Sequence, residues 1–400
     1  MNAITRTHPI WRPKVKTIDI GTTGARLRGY LALPTCGHGP GIVLVCDPAT
    51  PDATAQALCA DYAEEGYMTL VPNLEARAGR AGMVAALDDA RKDIAARPEV
   101  KGKLAVVGYG RGGALAIAAA SGGAFDALAA YDADGEGIAD DLARVRCPTV
   151  LQFGVKGSAR MAAVAARAQA AIKDHADARV HVYPDAAPAF TIADTPAHDK
   201  RVAAIAHTRL LDVVRRVLGP YYDYVALFAE HAHHEFITRD ASKTMATMVD
   251  EPYVNHVPTM TGGVGHDLLK RFYAHHFVNQ NSGERDNTTI SYTVGGNRLV
   301  IEQVVRFKHD RVIDRMYPGI APTNKEVEIP LVICVAFRGD RVAHEHIYWD
   351  QASALAQIGL IDTKKLPVAG REQALKLLDE TRPSNELMAA SWATSEGKPA

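Results

Sequence analysis

Residues 103–120 read KLAVVGYGRGGALAIAAA, and this stretch decides the fold of the first half of the chain. An apolar, β-branched run stops at Gly108, and an alanine-rich run without a helix breaker begins at Ala114. The glycines between them permit a sharp strand-to-helix turn and a close approach of helix to strand. That is the shape of a nucleophile elbow, G-x-[Ser/Cys]-x-G, with Gly108 and Gly112 in the flanking places. The nucleophile position is Gly110, which has no side chain with which to attack a carbonyl.

The α/β pattern extends outward from the elbow to about residue 215. VKTIDI and RLRGYLALP precede GIVLVC, a short apolar run bounded by turn residues that suits a strand buried on both faces. A helical stretch (ATAQALCADYAEEGY), the strand MTLVP and a helix at MVAALDDARKDIAA lead into the elbow, and DALAAYDA, PTVLQFG and RVHVYP follow as strands. Strand and helix alternating at this spacing imply parallel βαβ units with right-handed crossovers. An amphipathic helix from Ala203 to Leu218 closes this part, and GPYYDY marks a boundary because Gly-Pro cannot continue a helix. The expected domains are therefore 1–218 and 221–383, with a tail at 384–400.

Bulk properties agree with a two-domain globular protein. The chain has 400 residues, 47% of them hydrophobic and 23% charged, and a formal charge of −1 that gives no global reason to expect nucleic acid or an anionic membrane as partner. The five cysteines are odd in number and form no CxxC pair, which argues against a disulfide framework and for a reducing cytoplasm. The N-terminus, MNAITRTHPIWRPKVK, lacks the apolar run of a secretory signal, and no stretch reaches the length of a membrane span.

The first half resembles the dienelactone hydrolase (carboxymethylenebutenolidase) family, whose elbow reads G-Y-C-x-G-G. GYLALP, IVLV, EEGYMTLVPNL, VKGKLAVVGYGRGG, CPTVLQFG and VHVYPDAAPAF follow its order over roughly 200 residues. The resemblance implies an α/β-hydrolase-like fold. It also implies a glutamate near the first core strand, where Asp47 stands, an aspartate where Gly157 stands, and a histidine where Pro188 stands. With Gly110, all three triad positions hold residues that cannot serve. Ser158 and His198 are the only nearby substitutes, and both read as ordinary surface residues.

From about residue 221 the style changes. Helical stretches (DYVALFAEHAHHEFIT, SKTMATMVD, HDLLKRFYAHHFV), with the short segment YVNHVP before the last, give way to longer strands at TTISYTV, RLVIEQVVRFKHD, VEIPLVICVAF and RVAHEHIYW. Helices segregated from an antiparallel meander signal an α+β domain, with a curved antiparallel sheet wrapped around a helix. Ten of the sixteen histidines lie between His231 and His346, and histidine is the commonest general acid or base near neutrality. Side chains alternate along a strand, so His344, His346, Tyr348 and Asp350 share one face, opposite Glu345, Ile347 and Trp349. On the neighbouring strand Glu302 and Arg306 share a face, with Gln303 on the other. Tyr224, Phe228, His231 and Glu235 recur at helical spacing, and His234 follows His231 by three.

This half resembles the polyketide-cyclase-like (SnoaL-like) branch of the nuclear transport factor 2-like cone fold. YVNHVP with its following glycines, and GIAPTNKEVEIPLVICVAFRGDRVAHEHIYWDQASALAQIGL, carry the likeness over roughly 150 residues. Asn324 replaces the glycine usual in its P-T-G-K turn. The resemblance implies a cone-shaped barrel that performs proton transfer, with Asp350 as acid/base and His346, His256 and Glu302 as its catalytic partners. His344, Tyr348, His231, His234, Tyr224 and Arg306 are the expected substrate-binding residues.

The reading is thus an acid/base enzyme (lyase, isomerase, dehydratase or cyclase) acting on an apolar carbonyl or hydroxyl compound and needing no metal or cofactor, fused to an inactive hydrolase-like domain. Its expected partners are a small-molecule substrate and a second copy of the chain. Three alternatives stay open: a hydrolase of dienelactone type with an atypical nucleophile, a non-catalytic binding or assembly protein, and a metal site built from HAHHE and HEH.

Overall fold

A computed structural model describes residues 12–21, 27–74 and 79–399. The first eleven residues, on which the absence of a secretory signal was read, lie outside them, as does Arg26 of the second strand stretch. The chain divides into two units, one running to Tyr222 with Gly295–Asn297, the other comprising Asp223–Val294 and Arg298–Ala400.

The first unit contains β1 (Val15–Ile20), β2 (Leu27–Ala32), β3 (Gly39–Val45), α1 (Asp52–Glu64), β4 (Met68–Pro72), α2 (Gly79–Ala95), β5 (Val100–Tyr109), α3 (Arg111–Ala120) and β6 (Ala127–Tyr131). It continues with α4 (Ile138–Arg144), β7 (Thr149–Gly154), α5 (Ala159–Ala171), β8 (Ala178–Tyr183) and α6 (Lys200–Leu218). Its eight strands form one sheet in the order β1-β2-β4-β3-β5-β6-β7-β8, parallel from β4 to β8.

All seven residues of β3 are buried, and strand alternation says how. Val43 and Val45 enter one apolar cluster with Leu87 of α2, Ile117 of α3 and Val164 of α5, while Ile42 and Leu44 enter the other with Tyr62 of α1 and Leu210 of α6. Helices therefore cover both faces, which is why the strand reads as a continuous apolar run. Each such aliphatic side chain contributes roughly 1.5–3 kcal/mol by leaving water.

The second unit opens with α7 (Tyr224–Phe236), α8 (Ala241–Ala246), β9 (Met248–His256), β10 (Thr261–Val264) and α9 (His266–His276). It continues with β11 (Arg285–Val294), β12 (Arg298–Lys308), β13 (Glu326–Arg338), β14 (Arg341–Trp349), α10 (Gln351–Gln357) and α11 (Glu372–Leu378). Six strands form its sheet in the order β10-β9-β14-β13-β12-β11. The meander β11 to β14 is antiparallel, and β9 joins β14 in parallel. One expectation fails here. MVDEPYVNH, divided in the sequence reading between a helix and a short segment, is the single strand β9. Val249, Tyr253 and Val254 give it β propensity, and pairing with β14 overrides the helical look of SKTMATMVD. Beyond α11 a turn at Glu386–Met388 and a short helix at Ala389–Ala393 are exposed. No helix among the described residues is long and apolar enough to cross a membrane.

Candidate active site

The second unit encloses a cavity of about 190 Å3 against one face of its sheet. Ile301 and Gln303 of β12, Ile333 of β13, and Glu345, Ile347 and Trp349 of β14 point into it. These are alternate residues on each strand, as the pleat requires.

A buried charged cluster forms part of this wall. His231 and Glu235 stand four residues apart on α7 and so share a helix face, and Glu345 reaches them from β14. The His231 Nε2 lies 3.1 Å from Glu345 Oε1 and 3.3 Å from Glu235 Oε1, in contacts too bent to be aligned hydrogen bonds. On the other side of the ring, Nδ1 lies 2.6 Å from Thr247 Oγ1. That hydroxyl already donates to the Thr244 carbonyl, so it must accept from His231, which fixes the proton on Nδ1. Burial opposes a charge on this ring, but Glu235 and Glu345 outweigh it and push its pKa up to about 10. His231 is therefore an imidazolium at neutral pH. Glu345 is held above the usual carboxylate range by burial, with His231 and the Tyr273 hydroxyl acting in the opposite sense.

His256, the last residue of β9, also lines the cavity. Its Nδ1 donates to the Thr261 carbonyl at 3.2 Å, leaving Nε2 as the acceptor. Burial, and then Arg315, push its pKa down to about 3, so this ring is neutral. Two guanidinium groups also belong to the polar lining. Arg285 stacks on Phe236 at 3.8 Å and Arg315 on Phe277 at 4.8 Å.

The structure brings together a different set from the one expected. Of the four expected catalytic residues, only His256 lines the cavity. Asp350 is exposed and caps α10, accepting from Ala352 N at 3.0 Å and Ser353 N at 3.3 Å. His344, His346 and Tyr348 lie on the sheet face away from the cavity, where Arg298 donates to His344 at 2.8 Å and the two imidazoles stack at 5.1 Å. Glu302 is on that face too, accepting from Ser291 at 3.0 Å, and Arg306 pairs there with Glu328.

His231 is in the cluster, but as the group behind the carboxyls. His234 turns away to Thr238 at 3.1 Å, and Tyr224 stacks on Phe337 at 4.3 Å. The physical reason is parity. Side chains alternate along β14 as expected, but the inward set is the one with more apolar members, Ile347 and Trp349, and Glu345 rides with them. The same rule would have chosen Gln303, with Ile301 and Val305, over Glu302. Arg285 and Arg315 gave no sequence signal beyond being arginines.

His231, Glu235 and Glu345 also present three ligand atoms within 4.8 Å of one another, a set that a divalent cation could use. His234, suggested by the HAHHE spacing, is not among them.

The first unit carries its own cleft, of about 330 Å3, at the elbow. Gly110 holds φ 57° and ψ −126° between β5 and α3, a conformation strained for any residue with a Cβ and free for glycine. The turn thus persists without a nucleophile. A Cβ placed there would stand 3.0 Å from Asp47 Oδ2. Asp47 accepts from the Arg111 backbone N–H at 3.0 Å and from its guanidinium at 2.8 Å. Burial would raise the Asp47 carboxyl, but these bonds hold it below its ordinary value. Burial, followed by Asp47, pushes the adjacent Cys46 thiol up to about 12, which leaves it protonated. Pro188 lines the cleft, Ser158 is engaged as the cap of α5, and His198 is bound to the Phe190 carbonyl. Asp132 accepts from Gly154 N at 2.7 Å and Ala189 N at 2.8 Å, yet burial lifts its pKa to about 6.

Residues 27–218 match the dienelactone hydrolase family, so the first unit is dienelactone hydrolase-like, with an α/β-hydrolase-like and mostly parallel sheet. Among solved structures, a Klebsiella pneumoniae protein assigned as a dienelactone hydrolase is 20% identical with a TM-score of 0.46, over 50% of this chain and 98% of that one. A dienelactone hydrolase-like promiscuous phosphotriesterase from metagenomic libraries is 17% identical with a TM-score of 0.44, over 52% and 100%. The dienelactone hydrolase of Anabaena variabilis is 17% identical with a TM-score of 0.42, over 52% and 100%. Comparison with curated proteins gave no match.

Proposed function

We propose that a dienelactone hydrolase-like domain whose elbow has no nucleophile is joined here to a SnoaL-like unit that performs general acid–base chemistry on a small apolar carbonyl or hydroxyl compound. The observation that carries this reading is Glu345, a carboxyl raised by burial at the wall of an apolar cavity with a charged histidine fixed behind it. A buried base whose pKa is moved toward neutrality is matched to removing a proton beside a carbonyl. In that step the C–H bond breaks, the proton goes to Glu345, and the electron pair moves into an enolate. The enolate oxygen is stabilised by a guanidinium of Arg285 or Arg315, and the neutral His256 accepts a hydrogen bond from a substrate hydroxyl. Glu345 then returns the proton, to another carbon in an isomerisation or to a leaving hydroxyl in a dehydration.

Solvent exchange tests this. With a panel of small ketones and hydroxy-ketones in D2O, NMR is expected to show α-deuteration by the native protein, slowed by 10²–10⁴ in Glu345→Gln. Equal rates in the two proteins would sink the reading.

The family match over residues 27–218 favours a second reading, a hydrolase working from the first unit's cleft. With glycine at the elbow, hydrolysis there needs water as nucleophile and Asp132 or Asp47 to take its proton. Ester and lactone turnover lost in Asp132→Asn but intact in Glu345→Gln would select this reading over the first. Labelling of the first unit by a serine- or cysteine-directed activity probe would show instead that it holds a side-chain nucleophile.

A further inference from the structure

We infer that the cavity of the second unit takes a small organic acid, an apolar body with one carboxylate that is held by Arg285 and Arg315. The inference rests on the acid–base reading for what becomes of the ligand, but not for its binding. Arg315 is 8% exposed, and its Nη1 is buried without a hydrogen-bond partner. Arg285 is partly exposed along its length, with Nε donating to Asn287 Oδ1 at 3.0 Å, but its Nη1 is likewise buried and unpartnered. Among the described residues no carboxylate lies within 4 Å of either guanidinium.

Leaving a buried cation unpaired is strongly unfavourable. Here two share one cavity and repel each other, so that burial and then the Arg285 charge bring Arg315 down to about 9, still ionised at neutral pH. Of the carboxyls that could compensate them, Glu345 is turned to the His231 imidazolium, and Glu235 is shared, lying against His231 while its charge also acts on both arginines. Three cationic groups therefore face two carboxyls, and at least one positive charge is left for a ligand to neutralise. The same excess disfavours a divalent cation. A guanidinium presents its N–H groups in a fork that matches a carboxylate.

The walls say what the carboxylate is attached to. Phe228, Leu331, Ile333, Ile347 and Trp349 surround the space, and a cavity of about 150 Å3 holds benzene. About 190 Å3 therefore has room for a ring and one carboxylate, whereas inorganic phosphate would leave the apolar walls unfilled.

Binding to the full chain tests this without any turnover, read by calorimetry and by the fluorescence of Trp349. Benzoate and phenylacetate are expected to bind at least tenfold more tightly than benzamide and benzyl alcohol. Arg315→Gln and Arg285→Gln are each expected to weaken benzoate by 10- to 100-fold while leaving benzamide unchanged. If Arg315→Gln does not fold by circular dichroism, Arg285→Gln, on the exposed edge strand β11, carries the test alone. Benzamide binding as tightly as benzoate, benzoate binding unchanged in the arginine variants, or phosphate binding as tightly as benzoate would overturn the inference. Glu345→Gln is expected to retain benzoate. Loss of exchange activity in that variant bears on the acid–base reading alone, so the two ideas can fail separately.

Discussion

At the scale of single residues, the second unit places a buried carboxyl and the groups that support it on different elements. Glu345 comes from a strand, His231 and Glu235 from a helix, and Thr247 fixes the ring from a turn after α8. His231 is best described as a positioning residue, because it touches Glu345 and does not line the cavity. Replacing it with glutamine removes the charge that offsets two buried carboxyls. His231→Gln is expected to move the acid limb of the exchange-rate profile to higher pH by a unit or more, through a further rise in the Glu345 pKa. A merely structural role would lower the rate and leave the profile's midpoints in place. Asp350, expected to be the acid, instead accepts from the first turn of α10. Asp350→Ala should therefore cost about 1 kcal/mol as a lost helix cap, measured by urea unfolding, while exchange activity at saturating substrate stays unchanged.

At the scale of elements, the elbow keeps its turn with glycine at position 110. α3 meets the end of β3 so closely that a Cβ on Gly112 would fall on the carbonyl oxygens of Val45 and Cys46. Gly112→Ala is expected to destabilise the first unit by about 1–3 kcal/mol, since close-packed backbone cannot yield to an added methyl, with equilibrium unfolding as the check. In the second unit, β14 separates two chemically different faces. The cavity face is apolar with one carboxyl, and the opposite face carries His344, His346 and Tyr348, with Tyr348 43% exposed. Polar residues on a strand face mark water as readily as they mark a site, and the outer face of this sheet is the example.

At the scale of the whole molecule, the two units should answer acid pH in opposite senses. His256 has a folded pKa of about 3 against an ordinary 6.5. The unfolded chain therefore binds more protons between these values, and the second unit loses stability as pH falls from about 6.5 toward 3. His231 has a folded pKa of about 10, so its contribution is complete below about 6.5 and is lost as pH rises toward 10. The second unit should then be most stable near neutrality, and His256→Phe should flatten the acid limb of its urea midpoint, followed by Trp349 fluorescence. In the first unit Asp132 has a folded pKa of about 6 against an ordinary 3.8. The folded state binds more protons in that window, and the contribution of this group declines as pH rises through it. Asp132→Asn is expected to raise the stability of the first unit at pH 7 relative to pH 4.5, read by circular dichroism during urea unfolding.

Local pattern was enough for much of this protein. The apolar run GIVLVC, the glycines around Gly110 and the alternation of strand and helix are properties of adjacent residues. They determined the parallel sheet of the first unit and the glycine at the turn of its elbow. The long strands β11 to β14 and the three helices before them were legible for the same reason, because period and turn chemistry act over a few residues. The site of the second unit was not. Which alternate set of β14 faces inward depends on what packs against it, and a sequence period of two carries both answers. The meeting of His231, Glu235, Glu345, His256, Arg285 and Arg315 joins positions up to 114 residues apart. Their changed acidities follow from burial and from one another's charge, neither of which exists until the sheet and helices have closed over them.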